Sequence, residues 1–293
     1  MTLRQILEKA RKEGWATGHF NASELDQMRA IVEACKEVGA PAIIGTSEGE
    51  GKHLGHAEAV ALRDVFRKEY GIPIFLNADH HKSVESARKD IDAGYDSVHI
   101  DLSAESLEDN MEGTRSIVDY ARAKNPDISV EGELGYLRGE SKVQNQKIEV
   151  KPEDYTDPER AKEFVEKTGV DRLAIAVGNI HGISLEEPAL DIERIRAIRA
   201  VVPEHVALVL HAGSGIPDEQ IKAAIEAGIS NIHINTDIRV AFINELRRML
   251  TEEVGETAYK LTKLFVFIDG KFAKLEHVAQ DRDALAFCFD IVE

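Results

Sequence analysis

The sequence predicts an α/β fold closed into a TIM (β/α)8 barrel, a single domain over residues 1-254 with a C-terminal extension over residues 255-293. Three observations carry the prediction. Eight short apolar runs rich in Val and Ile have the length and composition of buried parallel strands. Helical patterns alternate with them, and strand-helix alternation means βαβ units on a parallel sheet. No linker, low-complexity tract or charge block marks a domain boundary, so the repeats belong to one barrel. An open doubly wound sheet would need fewer strands or a second domain.

The chain opens on a charged amphipathic helix, MTLRQILEKARKEGW. The strand candidates follow at 15-20, 41-46, 72-77, 96-102, 128-134, 172-178, 206-211 and 229-235. Ser23 is placed to cap a helix whose Leu25, Met28, Ile31, Val32 and Cys35 share one face. Another helix runs from Ser83 to Ala93 and stops at Gly94. Further helical stretches lie at about 104-124, 158-168, 191-201, 217-227 and 237-253. Two segments break the pattern. Residues 135-157 read as a long polar loop, and the extension contains an apolar run, LFVFIDGKF, that reads as a hairpin or packing segment on the barrel or a neighbouring subunit.

Asp and Glu outnumber Lys and Arg by 53 to 36, a net charge of -17. That excess argues against nucleic acid and against anionic membrane surfaces, both of which need clustered cations. Only Cys35 and Cys288 occur, each in an apolar stretch, which suits two buried thiols rather than a disulfide framework. With no apolar run of membrane-spanning length and no signal-peptide core at the N-terminus, a cytoplasmic location is expected.

In such a barrel chemistry sits at the C-terminal ends of the strands. Those ends carry His19 and Asn21; Thr46 and Ser47; Asp79, His80 and His81; His99 and Asp101; Glu131 and Glu133; Asn179 and His181; His211; and Asn235, Thr236 and Asp237. Imidazole is the common ligand of zinc, and catalytic zinc keeps three protein ligands and an open position. His80, His181 and His211 can converge on one point above the mouth. Beyond His211, Gly213, Ser214 and Gly215 precede Pro217 at a helix start, an arrangement that cradles anions. Attraction for an anion would then come from a metal and from backbone N–H groups at Gly213, Ser214 and Thr236, with few fixed side-chain cations.

The ordered motifs GHFNAS, DHH at Asp79-His80-His81, SVHIDLS, SVEGELG, AVGNIHG, LVLHAGSGIP and INTD resemble those of the class II, metal-dependent ketose-bisphosphate aldolases. The resemblance spans about residues 3-250. It implies a zinc-dependent aldehyde-lyase of carbohydrate metabolism and glycolysis. Such an enzyme reversibly cleaves a ketose 1,6-bisphosphate, fructose 1,6-bisphosphate first, to dihydroxyacetone phosphate and glyceraldehyde 3-phosphate through a metal-stabilised enediolate. His80, His181 and His211 match the zinc ligands, and Asp79 the general acid/base. Asp101 and Glu133 match acidic positions that hold the metal in an alternative location or orient its ligands. Gly182, Gly213, Ser214, Asn235 and Thr236 fall among the substrate-binding positions; Asn21 lies near the substrate, and Ser47 in the region that meets the far phosphate. The resemblance also implies a monovalent cation near the phosphate and a homodimer or homotetramer.

Physical chemistry suits the scheme. Retro-aldol cleavage leaves carbanion character beside a carbonyl, which a divalent metal delocalises. A Schiff base would need a desolvated Lys at a strand end, and only Lys82 is close. The chain departs from the family in three places, one of them Asn77-Ala78, which replace the usual His or Asp before the DH pair. Its mobile loop reads RGESK, placing Ser141 where the family has a catalytic glutamate and displacing Glu140 by one. His233 in NIHIN replaces a substrate-contacting asparagine. Those changes keep open another phosphorylated ketose, or a non-catalytic sugar-phosphate-binding barrel.

Overall fold

A computed structural model of the protein describes residues 1–144, 147–184 and 189–253. In chain order its elements are α1 (Leu3–Glu13), β1 (Thr17–Asn21), α2 (Leu25–Glu37), β2 (Ala42–Ser47), α3 (Glu48–Leu54), α4 (His56–Tyr70) and β3 (Ile74–His81). Next come α5 (Val84–Ala93), β4 (Ser97–Ile100), α6 (Leu107–Lys124), β5 (Ser129–Leu134), β6 (Gly139–Val143), α7 (Pro158–Thr168) and β7 (Arg172–Ile175). The chain continues with β8 (His181–Ile183), α8 (Ile192–Val201), β9 (Ala207–Leu210), α9 (Asp218–Glu226), β10 (Ile229–Ile234) and α10 (Thr236–Glu253).

Strands β1, β2, β3, β4, β5, β7, β9 and β10 close into a barrel in that order, every pair parallel. All eight expected strands are therefore present. Side chains of one parity face the helices: Ile44, Leu76, Val98, Val130 and Leu173 are fully buried between sheet and helix layer. Each such burial contributes roughly 1.5–3 kcal/mol. At the N-terminal end, Leu3, Ile6 and Leu7 of α1 pack on Ile43, Phe75 and Ala207 and close the barrel floor. Cys35 is buried in the main core; Cys288 and the 255-293 extension lie outside the described residues.

The opposite parity fills the barrel with polar side chains. His19 pairs in register with His233, His99 with Glu131, and Glu131 with Arg172, so these residues share layers inside the barrel. Arg172 is fully buried: its guanidinium meets Glu131 Oε2 at 2.6 Å and donates to Asn77 Oδ1 at 2.8 Å and Ser129 Oγ at 3.2 Å. A buried charge is tolerated when it is paired and hydrogen-bonded in this way.

Three local readings change. Glu24, not Ser23, caps α2, its carboxylate accepting from the N–H groups of Asp26 and Gln27; Ser23 instead donates to Gln27 Oε1. A carboxylate there also complements the helix dipole. Within the expected polar loop 135-157, Gly139–Val143 forms β6 and pairs in parallel with β8, making a small second sheet at the barrel mouth. Helix α3, which no hydrophobic periodicity signalled, is started by a capping box: Ser47 Oγ accepts from Glu50 N, and the Glu50 carboxylate accepts from Ser47 N.

Candidate active site and metal centre

The strand ends surround a cavity of about 490 Å³ at the C-terminal mouth. Asn21, Ser47, Asp79, His80, Asp101 and Glu133 line one side, and His181, Gly182, His211, Ser214, His233, Asn235 and Thr236 the other. Nearly all the residues singled out from the sequence therefore meet in one place. Among the residues given a metal, catalytic or substrate role, Gly213 is the exception: it does not line the cavity, and its N–H is spent on the carbonyl of His233 at 2.8 Å. That N–H is not free for phosphate. The N–H groups of Ser214 and Thr236 have no acceptor among the described residues.

Strand β3 slips register against β4 between Ala78 and His81, and His80 takes a left-handed φ of 50°. Ala212, after His211, has φ 58°. Left-handed backbone at non-glycine residues costs about 1–3 kcal/mol and concentrates at functional sites. Here it turns the two histidines toward each other: His80 Nε2 and His211 Nδ1 stand 2.9 Å apart. Each imidazole is held from behind by a carboxylate. Asp101 Oδ2 lies 2.7 Å from His80 Nδ1, and Glu131 Oε1 lies 2.6 Å from His211 Nε2. The His181 ring stands edge-on to His80 with centroids 4.9 Å apart.

A divalent metal fits the donor atoms of His80 and His211, which with those of Asp79 and His99 lie within 4.8 Å of one another, and the His181 ring stands beside them. Carboxylates behind ligand histidines fix the tautomer and free the opposite nitrogen for metal. Tetrahedral zinc sets its nitrogen ligands roughly 3.3 Å from one another, close to the spacing of the facing pair. Metal ligands must be neutral imidazoles. Burial and the neighbouring His80 charge push the His181 imidazole down to about 3 and lower that of His211. Burial opposes charge on His80 too, but Asp79, Asp101 and Glu133 outweigh it and raise its basicity. Asp101 thus stands where a carboxylate can orient the His80 ring, and it also belongs to a cluster with His80, His99 and Glu133 whose donor atoms could hold a cation. Glu133 Oε2 is buried without a hydrogen-bond partner, 3.4 Å from His99 Nε2 and 3.8 Å from His80 Nδ1, so it can take up a shifted cation.

Asp79 adjoins the centre. Burial works against its ionisation, yet the neighbouring imidazoles of His80, His233 and His99 hold its carboxyl well below the usual carboxylate range. Asn21 Nδ2 donates to Asp79 Oδ2 at 3.0 Å, and His233 Nδ1 lies 3.4 Å from Oδ1. His233 stacks on His19 with centroids 3.6 Å apart and lies next to the His211 ring. Asn235 Oδ1 is buried without a hydrogen-bond partner beside the cavity.

Glu140 lies at the rim. Its exposed carboxylate pairs with Lys142 Nζ at 2.7 Å and touches neither Asp79 nor His80, although the residue lines the cavity. The left-handed Gly182 (φ 100°) lets β6 pass close over it, since a Cβ there would meet the Lys142 and Glu140 carbonyl oxygens at 2.2 and 2.5 Å.

Five residues of the site were given no role from sequence. His99 sits between Asp79, Glu131 and Glu133, its imidazole pushed up to about 10 because those carboxylates outweigh burial. Arg172 supports Glu131. Two cations reach the cavity: Lys82, paired with Asp101, and Arg239, on the first turn of α10. Fixed positive side chains are thus present. Glu50, 6% exposed, stands behind Ser47 and Asn21.

The family model for class-II fructose-bisphosphate aldolase matches residues 1–281. Among solved structures, the YdjI aldolase of Escherichia coli K12 is 31% identical, with TM-score 0.75 over 86% of this chain and 88% of that one. A putative fructose-1,6-bisphosphate aldolase from Coccidioides immitis is 27% identical, with TM-score 0.80 over 98% and 97%. The fructose-bisphosphate aldolase of Campylobacter jejuni, 23% identical with TM-score 0.76 over 96% and 94%, shares the fold.

Proposed function

We propose that this chain, which belongs to the class-II fructose-bisphosphate aldolase family, cleaves a phosphorylated ketose to dihydroxyacetone phosphate and an aldehyde, and runs the reverse condensation. The family is one of metal-dependent aldehyde-lyases, and its bisphosphates, fructose 1,6-bisphosphate first, are the reference substrates. The observation that carries the reading is the facing pair His80 and His211, with ionised Asp79 next in sequence to His80.

A bound divalent ion, for which we propose zinc on the strength of the three-imidazole set, supplies polarisation of the ketose carbonyl. Ser214 and Thr236 N–H groups receive the phosphate at the N-terminus of α10, where the helix dipole favours an anion. Asp79 takes the proton of the hydroxyl on C4 as the C3–C4 bond breaks. The electron pair of that bond passes to C3 and into the carbonyl at C2, and the aldehyde leaves. Glu140, on the strand paired with that of His181, returns a proton to C3. His233 and Asn21 hold Asp79 in place, and Asn235 Oδ1 accepts from a substrate hydroxyl.

No described helix is long and apolar enough to cross a membrane. A homo-oligomer and a cytoplasmic setting complete the proposal. The direct test is Asp79→Asn: the variant should hold metal like the parent and lose about 10²–10⁴-fold in kcat. Loss of metal, or undiminished turnover, contradicts the role given to Asp79.

A further inference from the structure

Ser47, Asn21 and Arg239 all line the cavity, and together they offer the donors that a phosphate at the far end of a substrate would need. All three turn instead to one buried carboxylate. Glu50 Oε2 accepts from Ser47 N at 2.8 Å, Ser47 Oγ at 2.9 Å and Asn21 Nδ2 at 2.9 Å. Its other oxygen lies 3.5 Å from Arg239 Nη2, while Arg239 Nη1 donates to the Ser141 carbonyl. Helix capping accounts for the bond from Ser47 N alone. It does not account for Asn21, which comes from β1, or Arg239, which comes from α10.

We propose that Glu50 is a specificity-determining residue that takes the place of a distal phosphate. The protein carries its own anion where a bisphosphate would bring one. A second phosphate must take these donors from a carboxylate that cannot leave, and must sit beside its charge; like charges brought together in a desolvated site are strongly unfavourable. A hydroxyl makes no such demand, since it can donate to Asp79 or accept a shared Asn21 hydrogen bond. The substrate is accordingly a ketose carrying one phosphate, held at α10, and ending in uncharged hydroxyl-bearing carbons; the aldehyde product is an uncharged hydroxyaldehyde. This inference rests on the ketose-phosphate reading above and narrows it.

The test compares binding of a hexitol 1-phosphate and a hexitol 1,6-bisphosphate to the metal-loaded full chain by calorimetry, in the parent and in Glu50→Gln. Glutamine at this position keeps the capping-box acceptor for Ser47 N, so α3 is retained while the charge is removed. In the parent the monophosphate should bind at least as tightly as the bisphosphate. In Glu50→Gln the ratio should move at least tenfold toward the bisphosphate, because no fixed negative charge then competes with it for Arg239 and the Ser47 hydroxyl. A parent that binds the bisphosphate tenfold more tightly, a ratio unmoved by Glu50→Gln, or a monophosphate that does not bind overturns the proposal. Exchange of dihydroxyacetone phosphate protons with solvent, measured on the same parent sample, separates the two readings. Exchange with the wrong binding ratio removes only the role of Glu50, and absence of exchange removes the ketose-phosphate reading itself.

Discussion

His80 Nε2 and His211 Nδ1 face each other at 2.9 Å across the barrel mouth, although His80 lies on β3 and His211 directly follows β9. The carboxylates behind them decide which nitrogens face inward: Asp101 takes Nδ1 of His80, and Glu131 takes Nε2 of His211. Glu131 is itself fixed by Arg172 at 2.6 Å with both side chains fully buried. A chain of charge therefore runs from the interior of the barrel to the facing histidines.

Breaking that chain should weaken metal binding from a distance. Asp101→Asn and Glu131→Gln should each lower metal affinity by about 10–100-fold in competition with a chromophoric chelator. Glu131→Gln should also lower stability by about 3–5 kcal/mol in denaturant unfolding, because Arg172 keeps a buried charge without a counter-charge. Asp101 lies away from Arg172, so its variant reads orientation of the ligand alone. Parental affinity in both variants would show that the carboxylates do not position the ligands.

Stability of the metal-free protein should peak near pH 6.5. Burial pushes the His19 imidazole down to about 4 despite Asp79 and Glu131, so between pH 6.5 and 4 the unfolded chain binds a proton that the fold refuses. Stability therefore falls as pH drops through that window, by ~3 kcal/mol for His19 alone. His181, pushed down to about 3, acts in the same direction. His99 acts oppositely: its carboxylate neighbours push it up to about 10, so the fold keeps a proton that the unfolded chain loses, and stability falls as pH rises from 6.5 toward 10. Unfolding midpoints measured at pH 4.5, 6.5 and 9 should be highest at the middle value; a monotonic trend would contradict these assignments.

The barrel was legible because parallel strands buried on both faces leave continuous apolar runs, and because catalytic side chains cluster where those runs end. His80, His181 and His211 could be named on that ground. Arg172 and Glu131 could not be joined, since register across a barrel depends on closure and no short-range pattern encodes it. Glu50 did carry a signal, the Ser47-x-x-Glu50 spacing of a capping box, but that spacing describes a helix start and is silent about Asn21 and Arg239. Gly213 was misread because a glycine-rich turn looks alike whether its N–H faces a ligand or, as here, a carbonyl of the next strand. Strand β6 escaped because its partner, β8, is three residues long and sits outside the barrel repeat.

A metal held by His80, His181 and His211, with Asp79 and its neighbours, should let the protein labilise the carbon acid of dihydroxyacetone phosphate. Incubating the zinc-loaded protein with dihydroxyacetone phosphate in deuterium oxide, and following loss of the pro-chiral C3 proton signal by NMR, tests it without requiring the right aldehyde. The expected result is stereospecific exchange that a chelator abolishes and added zinc restores. No exchange at saturating zinc and dihydroxyacetone phosphate, or equal exchange in chelated protein, would contradict it.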